Sequence, residues 1–168
     1  MGAKLKKIWQ NHDISTSTKI RLLKALVWPV ATYGCESWTL KKMDEARINA
    51  FEMKCLRRVL RVSWTAKKTN EWVLMKAGVE RSLLASVKKR KLLYFGHIMR
   101  KQGDNLEKEV MQGTTPGSRA RGRPRTAWMT NITSWTRLSL EQLLRLTEDR
   151  QQWRMMVHEA ANPRVEDG

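Results

Sequence analysis

The stretch DEARINAFEMKCLRRVLRV, which begins at Asp44, constrains the fold more than any other part of the chain. On a helical wheel of about 100° per residue, Ile48, Phe51, Cys55 and Val59 fall within roughly 80° of one another. Arg47, Lys54, Arg57, Arg58 and Arg61 gather on the other side, within roughly 100°. A period of two would scatter both sets over two faces, so the stretch predicts a helix with one face for the core and one for cations. Asp44 at its start suits the positive end of the helix dipole.

The same period recurs on both sides of it. In STSTKIRLLKALVWPVATYGCESW, Ser15, Thr16 or Ser17 offers an N-cap, and Leu22, Leu26, Val30 and Tyr33 follow at helical spacing. Pro29 is expected to bend or end that helix near Trp28. Thr69 or Asn70 caps a short helix that runs through Met75 and is stopped by Gly78. Ser82 opens SLLASVKKRKLLYFGHIMRKQ, in which Leu83, Val87, Tyr94 and Ile98 share a side. Lys91 falls inside that apolar arc and is expected to snorkel to water. After a stretch rich in Gly, Pro, Ser and Arg, Trp128, Ile132 and Trp135 mark another helix, with Pro124 able to sit in its first turn. SLEQ is a capping box for a helix over Leu140, Leu143 and Leu144, and Thr147 is read as the head of a last helix with Trp153, Met156 and Val157. Only Glu109 to Gln112 hints at alternation. The expected fold is all-α, with several amphipathic helices and a basic Gly/Pro/Arg loop between the N- and C-terminal helical parts. Four segments follow: 1–40, a basic helical region 41–102, a flexible basic loop 103–125, and C-terminal helices 126–162.

Charge narrows the partners. The 168 residues hold 33 Lys and Arg against 16 Asp and Glu, a formal charge of +17. Self-repulsion on that scale points to a polyanion, with nucleic acid, RNA or DNA, as the leading candidate. A run of about 18 apolar residues is missing, so no membrane span is expected. Cys35 and Cys55 come with no signal peptide and read as reduced thiols of an intracellular, nuclear protein.

Catalytic chemistry is harder to find. Cys35, Cys55, His12, His97 and His158 include no close ligand pair of the kind that structural zinc uses, so neither a metal nor a cofactor is expected. GxSxG and Gly-rich phosphate loops are missing too, and His97 in YFGHIMR reads as a packing histidine. The basic clusters carry the signal. Lys54, Arg57, Arg58 and Arg61 lie in a run to Lys68 that contains no acid; KKRK supplies Lys88, Lys89, Arg90 and Lys91; SRARGRPRTAW supplies Arg119, Arg121, Arg123 and Arg125. Trp64, Trp72 and Trp128 lie beside basic stretches. All these cations are expected to touch phosphates. For Arg121 and Arg123 an alternative stays open, because Arg-Gly-Arg-Pro is also the core of an AT-hook entering a narrow minor groove.

Five motifs in order, LVWPVATYGCESWTL, FEMKCLRRVLRV, KKRKLLYFGHIMR, RGRPRTAWMTNI and EDRQQWRMMV, resemble the C-terminal part, thumb and beyond, of a non-LTR retrotransposon endonuclease-reverse transcriptase of RTE or BovB type. The resemblance covers nearly the whole chain. It implies that Lys4 to Leu40 corresponds to the thumb-like end of the polymerase and the rest to a basic C-terminal region. In that family the RNA-directed DNA polymerase holds two metal ions on palm carboxylates of an Ala-Asp-Asp motif, which this chain lacks. No activity of its own is therefore expected. The implied role is to grip template RNA or target DNA beside the remaining reverse transcriptase domains. Met1 in the middle of the family's pattern suggests a truncated or domesticated reading frame. Two alternatives stand beside this reading: a protein-interaction module built on the Trp- and Leu-rich helices, and a translated remnant without function. Oligomeric state is left open.

Overall fold

Ser15 caps the first helix that the sequence marks, accepting a hydrogen bond from the Thr18 amide at 3.2 Å. The computed structural model describes residues 3–101, 106–112 and 128–162, and every regular element among them is helical. The protein is all-α. A short helix, α1 (Ala3–Gln10), precedes the capped one and buries Trp9; the sequence reading did not foresee it. α2 (Thr16–Leu22) then opens into a π turn over Leu23–Val27, and α3 (Trp28–Ala31) continues with Pro29 in its first turn.

Pro29, expected to bend or end the helix, does not end it, but the helix leaves α geometry just before it. In a regular α-helix its ring would meet the carbonyl of Ala25 and its missing N–H would leave that carbonyl unpaired; the wider turn just before it relieves both conflicts. The wider turn also breaks the four-residue count. Leu26, Val30 and Tyr33, expected in the core, are 48%, 78% and 86% exposed, while Ile20, Leu23, Trp28 and even Lys19 are buried.

By packing, the chain forms two compact units: the chain up to Tyr33 with Lys42–Leu84, and Gly34–Lys41 with the chain from Ala85 onward. In the first, α4 (Lys42–Leu60) buries Met53, Cys55, Leu56 and Val59 against Trp9, Ile20, Leu23, Trp28 and Val73. Each such apolar side chain contributes about 1.5–3 kcal/mol of burial. The buried arc is turned past the counted stripe, so that Phe51 stays exposed and Glu52 goes in. The cause is local. Glu52 accepts hydrogen bonds from the Ser82 amide at 2.9 Å and the Leu83 amide at 3.2 Å, satisfying otherwise orphaned donors at the start of the next long helix. Between the two runs α5 (Asn70–Ala77), capped by Thr69 and ended by Gly78 at φ +64°. Only glycine adopts that left-handed turn without cost.

The second unit holds most of α6 (Leu83–Met99), with α7 (Leu106–Gln112), α8 (Trp128–Thr136), α9 (Leu140–Glu148) and α10 (Arg150–Ala161). Residues 109–112, the one hint of alternation, are helical in α7. The capping box of α9 forms both its bonds, Gln142 amide to Ser139 hydroxyl at 3.3 Å and Ser139 amide to Gln142 side chain at 2.9 Å. α10 is headed by Asp149 rather than Thr147: the Asp149 carboxylate accepts from the amides of Gln151 and Gln152. Thr147 lies buried in α9, its hydroxyl donating to the Leu144 carbonyl at 2.7 Å. Leu92, Phe95, Ile98, Ile132, Leu143, Trp153 and Val157 form this unit's core.

Candidate nucleic-acid interface

In the first unit the basic face of α4 becomes one wall of a groove. After Leu60 the chain turns sharply: Arg61 takes φ +55°, the Val62 amide bonds the Arg57 carbonyl at 2.9 Å, and Lys67 takes φ +43° before α5 begins. The turn brings Lys67 and Lys68 opposite α4, around a concavity of about 1510 Å³. Lys54, Arg57, Arg58, Arg61, Lys67, Lys68 and Arg81 all line it, and none of the residues lining it is acidic.

The arginines also hold the groove's shape. Arg57 donates to the Asn70 side-chain oxygen at 2.9 Å and to the Lys68 carbonyl at 2.8 Å, tying α4 to the start of α5. Arg61 donates to the Trp9 carbonyl at 3.3 Å and pairs with His12 Nε2 at 2.8 Å, tying α4 to α1 and the turn after it. These bonds set the positions of both guanidinium groups. The Glu71 carboxyl, held below its usual range by hydrogen bonds from its own backbone amide and the Thr69 side chain, is lowered further by Arg81 and Arg57. The Lys68 ammonium lies 5.2 Å from the centre of the Trp72 ring, a cation–π contact at the edge of the same wall. The side chain of Trp64 lies outside what is described.

Lys54, Arg57, Arg58 and Arg61 therefore share one surface, whereas Arg47, counted on the same face, pairs with Asp44 at 3.3 Å and does not line the groove. Lys67 and Lys68 belong to the acid-free run that the sequence shows. Arg81 was missed: it stands alone between Glu80 and Ser82, and only the fold brings it to the groove.

The KKRK cluster turns out otherwise. Lys91 does not snorkel and cannot touch a phosphate: it is 0% exposed. Its ammonium donates to the Trp38 carbonyl and, at 2.8 Å, to the Asn131 side-chain oxygen, with the Trp128 ring centre 4.5 Å away and that of Trp135 5.6 Å away. Asn131 in turn brackets Leu40, accepting from its amide at 2.8 Å and donating to its carbonyl at 2.6 Å. Burial pushes Lys91 down to about 8. Lys88 lies 5.3 Å from the Trp135 ring centre, and Arg90 interacts with the buried thiol of Cys35, whose pKa burial raises and Arg90 opposes. Lys89 is exposed. Arg119, Arg121, Arg123, Arg125 and Pro124 lie outside the described residues.

Cys35 and Cys55 are free, buried thiols, and burial raises both. His97 is exposed rather than packed, while its neighbour Gly96 is buried. Among the described residues no group of three His, Cys, Asp or Glu side chains could hold a metal ion, and no helix is long and apolar enough to cross a membrane.

A transposon-derived protein of Caenorhabditis elegans, itself uncharacterized, is 33% identical over 96 residues, a stretch that covers 54% of this chain and 34% of the relative. The chain spans about a third of the length of the curated relative it matches. The similarity supports a transposon-related origin. No family model matches the chain, and no solved structure matches it.

Proposed function

We propose that the protein binds nucleic acid through the basic groove of its first unit, as the thumb and post-thumb part of an RTE- or BovB-like reverse transcriptase would. The carrying observation is that Lys54, Arg57, Arg58, Arg61, Lys67, Lys68 and Arg81 share one concavity with no acidic side chain in its lining. Such a surface repels itself unless a polyanion is present, and phosphates neutralise it without requiring a particular base sequence. The transposon-derived relative supports a transposon-related origin and says nothing of a reverse transcriptase or of binding. In this reading the chain has no polymerase or nuclease activity alone, works in the nucleus, and assists the other domains of a reverse transcriptase.

The competing reading as a protein-interaction module needs exposed Trp and Leu side chains on the C-terminal helices. There Leu143 and Trp153 are buried in the core of their own unit, and Trp135, Leu140, Leu144 and Leu146 are half-buried against the same core. The test is a titration of duplex DNA, structured RNA and unpaired strands over a range of salt. Each phosphate neutralised on duplex DNA contributes a slope of about 0.9 in log affinity against log salt. The expected slope is steeper than about 4 in magnitude for the best-bound ligand. An affinity that barely changes with salt for every ligand would remove the reading.

A further inference from the structure

The groove is lined by more than cations. Ala46, Ala50 and Met53 of α4 give it an apolar floor, with the side-chain amides of Asn49 and Asn70 in the same lining. A surface that only grips the phosphates of a duplex has no use for an apolar floor, because the base faces of a duplex are stacked away from the protein. An unpaired strand exposes those faces, and apolar contact together with amide hydrogen bonds is how proteins receive them.

Size points the same way. The concavity, about 1510 Å³, exceeds the about 300–1,000 Å³ of ordinary small-molecule pockets, which suits a short run of nucleotides better than a single one. On α4, Lys54 and Arg58 stand one turn apart, a rise of roughly 6 Å, and Arg61 follows just past the helix end. One backbone can follow these cations while its bases turn toward the floor. Arg57 and Arg61, held by Asn70, Lys68, Trp9 and His12, keep the walls apart before any ligand arrives.

From this we infer that the groove takes an unpaired nucleic-acid strand in preference to a duplex. The inference rests on the proposed binding function and specifies its ligand. The experiment compares fluorescently labelled 12-nucleotide oligo(dT) and oligo(U) with a hairpin duplex of equal phosphate number, using the full chain at one salt concentration. Unpaired strands should bind at least tenfold more tightly. In a second arm, Ala46→Leu and Ala50→Leu are introduced together. Both alanines are exposed on α4, so the helix tolerates leucine there while the floor is filled. Strand affinity should fall about tenfold and duplex affinity should stay within twofold; circular dichroism confirms that the variant is folded. A duplex bound as tightly as the strands, or a strand preference unaltered by the filled floor, overturns this inference and leaves the basic-groove reading standing. Failure of the wild-type chain to bind any of the three probes overturns both.

Discussion

Lys91 carries its charge in a place where water cannot reach it and its hydrogen-bond partners are neutral. Two acceptors and two indole faces compensate part of the desolvation, yet burial still pulls its pKa from 10.5 to about 8. The sign follows from linkage. Between those values the unfolded chain binds the proton that the folded chain has released, so this residue makes stability rise with pH across that window; below about 8 its penalty is fully present. At 1.36 kcal/mol per pKa unit, the rise is at most about 3 kcal/mol. Lys91→Met keeps the volume of the stem and removes the charge, so at pH 7 it should change stability by less than about 1.5 kcal/mol. Urea unfolding of both proteins at pH 7 and pH 10 should show wild type gaining on the variant as pH rises; parallel behaviour would mean that Lys91 keeps its proton throughout. The sequence exposes the anomaly, a lysine inside an apolar arc, but not its resolution. Trp38 and Asn131 lie 53 and 40 residues away, beyond anything that helical periodicity reports.

At the scale of elements, Gly96 sets how α6 and α10 can meet. The indole N–H of Trp153 donates to the Leu92 carbonyl at 3.2 Å, one turn before Gly96 on α6. A Cβ on Gly96 would run into the indole, with several ring atoms under 3 Å away. Alanine there gains about 1 kcal/mol of helix propensity yet must displace a buried Trp, so Gly96→Ala should destabilise the protein by a net 1–3 kcal/mol, an order-of-magnitude expectation. In a Trp153→Leu background most of that cost should vanish, and a double-mutant cycle by urea denaturation measures the difference. Additive losses would show that Gly96 matters for another reason. Elements whose signals are local were legible: the Thr69 cap, the Gly78 stop, and the Ser139 capping box lie where the residues put them. The segment through Pro29 was not, because a π turn is chosen by how the following proline and Trp28 pack, and it rotates every residue counted across it. For the site, the α4 cations were legible from their shared face. Arg81 was invisible, and three members of KKRK have interactions within the second unit that a charge count cannot see.

For the whole molecule, a total of +17 would draw any polyanion, so weak binding alone does not identify a site. Local contact and long-range field can be separated by removing equal charge from two places. One variant replaces Lys54, Arg58, Lys67 and Lys68 with glutamine; the other replaces Arg119, Arg121, Arg123 and Arg125 with alanine. Each takes four charges from the same total, so the general attraction falls equally in both, and any difference reports contacts. With the groove as the main surface, its variant should lose about 0.9 of salt slope on duplex DNA for each contact removed, and at least tenfold in affinity for its best ligand at low salt. The variant at 119–125 should lose less, and about equally on every sequence, as general phosphate contacts would. Changing only Arg121 and Arg123 to lysine preserves charge and tests the remaining alternative: an AT-hook would lose its preference for A·T-rich duplex, since lysine's strongly hydrated ammonium enters a narrow minor groove less readily. The expected outcome is an unaltered preference. Equal losses from the two four-residue variants would mean that the groove binds by field alone, and a larger loss from the variant at 119–125 would move the principal site out of the first unit.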